Sequence, residues 1–296
     1  MQQGWKPALP NRAAAAILRP VATILSIQSQ VVRGHVGNNA AQFALQCQGH
    51  DVWAVPTVLL SSHPAHGRVA GGVMAPERVA ALIEALPLEH CDAILSGYLG
   101  EVANAAMIAA AVARMKAANR RGIYFCDPVF AHESGLFVPR AVADAQAGLV
   151  RLAAIAKPNQ AELEDITGRP IHTLGEALAA CAELRARGPQ TVILSSLRRR
   201  DAPPGVLATL AVGPAGAFLV ETPLLPGPLH GAGDLFSALF LGFVLQGFGT
   251  AAALEAAVSG AHGVLAATGT DLDLHLIGAR DTLNSPQKRF SARRIG

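Results

Sequence analysis

The sequence predicts an α/β fold of three layers, αβα, with a mostly parallel central sheet, helices on both faces and an antiparallel edge. Three observations predict it. Short apolar runs of strand length alternate with helical patterns along the 296 residues. Two late strand-like segments follow one another without a helix between them, as an antiparallel edge requires. Polar and acidic residues recur just past the apolar runs, at the carboxyl ends of strands, where such sheets bind ligands.

Taken in order, residues 21–27 form an apolar run ending in polar residues, the pattern of a buried parallel strand. Val36-Gly37-Asn38-Asn39 leads into a helix over 40–48, stopped by Gly49. Residues 51–60 are Val-rich and interrupted at Pro56, and read as the next strand; 61–72, rich in Gly and His, reads as a loop or flap. A helix over 76–86 puts Val79, Leu82, Ile83 and Leu86 on one face. Strand 93–98, helix 103–119 and strand 123–128 follow, the last ending in Asp127-Pro128. Helix 142–152 and a short strand 153–156 run into Lys157-Pro158-Asn159-Gln160 and a helix over 161–167. Helix 174–187 and strand 191–195 precede the two helix-less strands, 205–212 and 217–221. Helices starting near Gly231 and spanning 251–267 complete the pattern. No composition break marks a second domain, so the organisation expected is an extension over 1–20, one domain over 21–280 and a basic tail over 281–296.

Hydrophobic residues make up 51% and charged residues 15%, which excludes a disordered chain. A net charge of +3 with no dense basic stripe argues against nucleic-acid binding. The basic clusters, Arg198-Arg199-Arg200 and Lys288-Arg289 with Arg293-Arg294, read as a solvated loop and a loose terminus. Four scattered cysteines without a CxxC pair fit reduced thiols. No apolar run reaches membrane-spanning length and the first 19 residues lack a signal-peptide pattern, so a cytoplasmic protein is expected.

The chain is organised around Leu229-His230-Gly231-Ala232-Gly233-Asp234-Leu235-Phe236. Glycines let the backbone come close to a ligand. The first N–H groups of the following helix, with its positive dipole end, suit a negatively charged group. A carboxylate at Asp234 could accept a proton there, or merely cap the helix. Ser29, Tyr98, Asp127, Asn159 and Ser195 all fall at or just beyond predicted strand ends, and with Asp234 they converge on one end of the sheet.

Ser26-Ile27-Gln28-Ser29-Gln30-Val31-Val32, Gly34-His35-Val36-Gly37-Asn38 and Val55-Pro56-Thr57-Val58-Leu59-Leu60-Ser61 resemble the pyridoxal/pyridoxine kinases of the ribokinase superfamily. Ser96-Gly97-Tyr98-Leu99-Gly100, Asp127-Pro128-Val129, Pro158-Asn159-Gln160-Ala161-Glu162-Leu163-Glu164 and the Gly231 turn follow in that family's order, covering about 21–269. The resemblance implies a ribokinase-like fold and ATP-dependent phosphorylation of the 5′-hydroxymethyl group of a vitamin B6 vitamer, in salvage to pyridoxal 5′-phosphate. It implies Asp234 as general base and the Gly231-Ala232-Gly233 turn as the anion hole. Ser29 would bond the pyridine ring, with Val36 packing on it and Tyr98 nearby, although Tyr98 reads equally as a core aromatic. Asp127, Asn159 and Glu162 would position ATP and Mg²⁺, the two carboxylates serving the metal partly through water. Ser195 and Ala232 would meet the nucleotide, and a monovalent cation and a homodimer are implied as well.

The chain departs from the family pattern in three places. Lys157 replaces a usual Thr, a cation facing either ATP or solvent. Ala131-His132 stands where Gly-Asp is common, leaving Glu133 as the nearest substitute carboxylate. The flap Ser62-His63-Pro64-Ala65-His66-Gly67 is also unusual. The competing readings are a hydroxymethylpyrimidine kinase, which typically carries Cys at the Asp234 position, a sugar or nucleoside kinase of the ribokinase type, which would normally show an N-terminal Gly-Gly motif and a lid segment absent from this sequence, and a non-catalytic vitamer-binding protein.

Overall fold

A computed structural model describes residues 22–227 and 229–296; the extension expected over 1–20 lies outside the described residues. The central sheet has ten strands. Its parallel middle is β1 (Thr23–Arg33), β2 (Asp51–Ser62), β4 (Ala93–Ser96), β5 (Ile123–Cys126), β8 (Ile155–Ala156) and β9 (Thr191–Leu197). One edge adds β10 (Val206–Gly213), β11 (Gly216–Pro223) and β12 (Arg293–Ile295), all antiparallel. The other edge adds β3 (Gly71–Val73), also antiparallel, inside the stretch read as a loop. The spatial order is β12-β11-β10-β9-β8-β5-β4-β1-β2-β3. Two-residue strands β6 (Ala131–His132) and β7 (Gly135–Leu136) form a separate hairpin.

Each face of the sheet carries its own core. On one side α2 (Pro76–Glu84), α3 (Ala103–Ala118), α4 (Arg140–Val150), α5 (Gln160–Thr167) and α6 (Leu174–Ala186) bury Val79, Ile108, Val142, Leu163 and Leu184 against Ile94 and Tyr124. On the other, α1 (Asn38–Cys47), α7 (Ala232–Leu245), α8 (Thr250–Thr268) and α9 (Arg280–Asn284) pack Leu45, Phe240, Leu254 and Leu283 on Ile24 and Phe125. Nine consecutive residues of α7, Leu235 to Phe243, are buried, so this helix is enclosed on all sides rather than amphipathic. No helix among the described residues is long and apolar enough to cross a membrane.

Three expectations are corrected. β1 continues past 27 to Arg33, so Ser29 lies within the strand rather than after it. Its pairing with β2 slips between Gln28 and Gln30, opposite Pro56, whose missing N–H breaks the ladder; the irregularity re-aims the strand beside the site. Arg199 is not a solvated residue: its side chain is 7% exposed and pairs with Glu221 and with Asp201. The terminus is not loose: α9 buries Leu283, and β12 pairs Ile295 with Ala217.

Candidate active site

The turn before α7 has a geometry that only glycine tolerates. Gly231 adopts φ 82°, and a Cβ there would lie 2.1 Å from the His35 carbonyl oxygen. Ala232 donates its N–H to the Leu229 carbonyl at 3.2 Å, whereas the N–H groups of Gly233 and Asp234 have no protein acceptor among the described residues. The open donors therefore belong to Gly233 and Asp234, and the Ala232 N–H serves the turn itself. Asp234 Oδ2 accepts the Gly37 N–H at 2.8 Å. Burial and the nearby Asp127 raise the Asp234 carboxyl to about 6, against the opposing pull of the Gly37 N–H and Lys157. A carboxylate so poised is ionised at neutral pH yet basic enough to take a proton.

Asp127 and Lys157 are neighbours by register. Cys126 pairs with Ala156 across the parallel β5–β8 ladder, so the next residue of each strand emerges at the same edge. Lys157 Nζ lies 3.0 Å from Asp127 Oδ1 with both side chains 5% exposed. Asp127 Oδ2 accepts from Ser237 Oγ at 2.7 Å. Burial alone would favour neutral Lys157, but Asp127, Glu162 and Asp234 outweigh it and raise its pKa.

Glu162 and Asn159 form the capping box that starts α5. Asn159 Oδ1 accepts the Glu162 N–H at 2.9 Å, and Glu162 Oε2 accepts the Asn159 N–H at 2.8 Å. Glu162 Oε1 also accepts from Phe130 N–H at 3.1 Å, tying the β6–β7 hairpin to the site. Burial, followed by repulsion from Asp127, pushes the Glu162 carboxyl up to about 8.

Two cavities meet at the start of α7. The larger, about 760 Å³, is lined by Ser29, Val36, Tyr98, Asp127, Asn159, Glu162, Gly231 and Asp234, and by His63 and Pro64 of the flap. The smaller, about 140 Å³, is lined by Ser195, Ala232, Thr209, Val258 and His262. Lys157, Leu229 and Gly233 line both. A hydroxyl in the larger chamber can lose its proton to Asp234 while the Gly233 and Asp234 N–H groups receive an anionic group from the smaller.

A phosphomethylpyrimidine kinase family model matches residues 54–273. A pyridoxal kinase from Rubrobacter xylanophilus is 43% identical over 284 residues, covering 92% of this chain and 97% of the relative. The chain belongs to the pyridoxal kinase family. A second relative in that family, from Deinococcus radiodurans, is 41% identical over 287 residues, covering 92% of this chain and 96% of its own. Among solved structures, the Leishmania donovani pyridoxal kinase in complex with ADP and pyridoxine has a TM-score of 0.86 at 27% identity, covering 93% of this chain and 99% of that one. The Trypanosoma brucei pyridoxal kinase has a TM-score of 0.83 at 27% identity, covering 95% and 100%.

Within this pyridoxal kinase family member, Ser195 and Ala232 face only the smaller chamber, while the remaining candidate residues reach the larger one. Glu133 is not at the site: its side chain is 81% exposed and pairs with Arg198 at 3.6 Å. Sequence reasoning missed Ser237, one helical turn beyond Asp234 and so on the same face of α7, which the i, i+3 spacing could have revealed. It also missed Phe137, whose ring lies 6.5 Å from Tyr98 and 5.4 Å from His132. His262 was missed too; neither of its ring nitrogens has a partner among the described residues.

Proposed function

We propose that this protein transfers the γ-phosphoryl group of ATP to the 5′-hydroxymethyl group of pyridoxal, and also of pyridoxine and pyridoxamine, in salvage to pyridoxal 5′-phosphate. The observation that carries this reading is Asp234, held by the Gly37 N–H beside the Gly233 donor where the two chambers meet. Relatives named pyridoxal kinase at about 40% identity support the acceptor class, as does the Leishmania donovani enzyme described with ADP and pyridoxine.

The roles follow from the chambers. Ser29 and Val36 hold the pyridine ring in the larger one, with Tyr98 and its Phe137 neighbour as a wall. Ser195 and Lys157 receive the nucleotide phosphates in the smaller one, with Ala232 in its wall and Asn159 reaching the phosphates from the larger side. The Gly231 turn aims the N–H groups that stabilise charge on the phosphoryl oxygens. Asp234 takes the hydroxyl proton.

Asp127 and Glu162 fit a hydrated Mg²⁺ better than a dry cage. Their oxygens already accept from Lys157, Ser237 and backbone N–H groups, and no cluster of three ligating side chains forms among the described residues. They would hold the ion through its waters, as Mg²⁺ prefers. When bound, Mg²⁺ neutralises charge on the β- and γ-phosphate oxygens. A monovalent cation belongs to the same reading. Val32, Leu59 and Val73, exposed on β1, β2 and β3, support a homodimer contact, and we read the protein as cytoplasmic.

The test is a steady-state assay with Mg-ATP and each vitamer, with hydroxymethylpyrimidine as competitor because the family model carries a pyrimidine name. Formation of a vitamer 5′-phosphate that falls at least about 100-fold in Asp234→Asn supports the reading. Turnover of the pyrimidine alone, or of nothing, refutes it.

A further inference from the structure

Lys157 stands at the partition between the two chambers, and the partition has few polar groups. Of the three residues lining both cavities, Leu229 offers an apolar side chain, Gly233 a free N–H and Lys157 an ammonium. A Cβ built on Gly233 would come 3.6 Å from Lys157 Nζ, so the ammonium overhangs the first turn of α7. An ammonium has three donors. Asp127 takes one, and no second protein acceptor meets Nζ among the described residues. A buried charge with unfilled donors is costly unless a ligand completes it. Lys157 lines both cavities, and so stands on the path a group must take between the chambers.

We infer that Lys157 is a catalytic residue that holds the transferring phosphoryl group on both sides of the reaction. It binds the terminal phosphate of ATP first and the 5′-phosphate of the product afterwards. This rests on the phosphotransfer reading above and deepens it. In the step, the bond from the γ-phosphorus to the β,γ-bridging oxygen breaks and its electron pair leaves on ADP. The 5′-oxygen forms the new bond to phosphorus, and its proton passes to Asp234. Lys157 keeps its proton throughout and stays on a non-bridging oxygen. Asp127 is a positioning residue: its Oδ1, 3.0 Å away, fixes the ammonium.

The bland alternative is that Lys157 only neutralises Asp127. The two differ in what the side chain recognises. Lys157→Met keeps the stem and removes the charge, and binding is measured calorimetrically without turnover. The ligands are two pairs: pyridoxine with pyridoxine 5′-phosphate, which lack the aldehyde, and ADP with a non-hydrolysable ATP analogue. The expected result is a loss of about tenfold or more for the member of each pair that carries the additional phosphoryl group (pyridoxine 5′-phosphate and the ATP analogue) and less than about threefold for the other, a selectivity that follows from charge-assisted contact to one phosphoryl group. The kcat should fall about 100-fold, as for loss of an anion-hole donor. Lys157→Arg should recover part of the 5′-phosphate affinity.

Equal losses within each pair, or no loss at all, would overturn the inference. Thermal unfolding checks that Lys157→Met is folded, and Lys157→Gln carries the same measurement if it is not. If the unsubstituted protein binds no pyridoxine, the vitamer reading fails on its own, and Lys157 is judged on the nucleotide pair.

Discussion

The Gly37 N–H donates to Asp234 Oδ2 at 2.8 Å, joining two turns 197 positions apart in the chain. The contact lets the β1–α1 turn orient the carboxylate at the start of α7. It depends on Gly37 adopting φ 53°, with no room for a side chain: a Cβ would lie 2.1 Å from the Ser29 carbonyl oxygen. Gly37→Ala should therefore cost about 1–3 kcal/mol of stability from backbone strain and lower kcat at least about tenfold by misplacing the proposed base, Asp234. Gly49→Ala is the control. Its φ is 86°, but nothing lies within 4 Å of the added carbon, so it should lose stability and keep kcat. Urea unfolding and steady-state kinetics on both variants check the pair.

Asp234 gives the pH dependence a definite sign. Its carboxyl is raised from 3.8 to about 6, chiefly by burial, and as the proposed base it works only when ionised. The kcat/KM should be flat above neutrality and fall about tenfold per unit well below the apparent pKa. Stability runs the other way. Because the folded state holds this proton more tightly than the unfolded chain, the residue's contribution to stability declines as pH rises from 3.8 to about 6. Asp234→Asn should be more stable than the parent by about 3 kcal/mol at pH 8 and equal to it near pH 3. Unfolding at several pH values measures the difference, and Glu162, common to both proteins, cancels.

Much of this site was legible because strand ends carry their own signals. The apolar runs of β1, β4 and β5 and the Asp127-Pro128 stop put the carboxyl edge of the sheet in view, and Gly231 to Asp234 marked the helix that faces it. What escaped notice depends on contacts distant in sequence. β6 and β7 have two residues each, too few for any periodicity, yet they bring Phe130 to Glu162 and Phe137 to Tyr98. The sequence leaves Lys157 facing either ATP or solvent; its register beside Asp127, a partner distant in the chain, is what allows the charge to be buried. Arg199 looked like one of three solvated arginines, because charge alone does not reveal that Glu221 waits on the next strand but one.

The flap should act on vitamer affinity more than on chemistry. His66 Nε2 lies 2.9 Å from Asp273 Oδ1, and the His63 ring sits 4.0 Å from that of His230. Burial, with His230 and His66 beside it, lowers His63 to about 4, and burial lowers His230 as well, so the two rings, tilted 33° to each other, are neutral at pH 7 and do not repel. His63 and Pro64 line the larger cavity, which makes the His66–Asp273 contact a latch on its cover. His66→Ala or Asp273→Asn should raise KM for pyridoxal about fivefold, the worth of one such hydrogen bond, while kcat changes less than about twofold. Initial-rate kinetics separate the two parameters, and a fall in kcat with unchanged KM would rule the latch out.

The C-terminal segment should support the nucleotide chamber from behind. Ser259 Oγ accepts the Arg289 and Phe290 N–H groups at 3.1 and 3.3 Å, and Glu255 accepts from Ala292 N–H at 2.8 Å. Both acceptors lie on α8, which also carries Val258 and His262 into the smaller cavity. The Phe290 ring meets His262 edge-on at 4.8 Å and fixes its plane. Removing residues 280–296 strips Leu283 and Phe290 from the core and bares the β11 edge, so it should cost about 3 kcal/mol or more and promote association. Phe290→Ala is the finer probe. It frees His262 without unpairing β12, so KM for ATP should rise several-fold while KM for pyridoxal stays unchanged. An equal rise in both would mean that the tail holds the whole sheet rather than the nucleotide side of it.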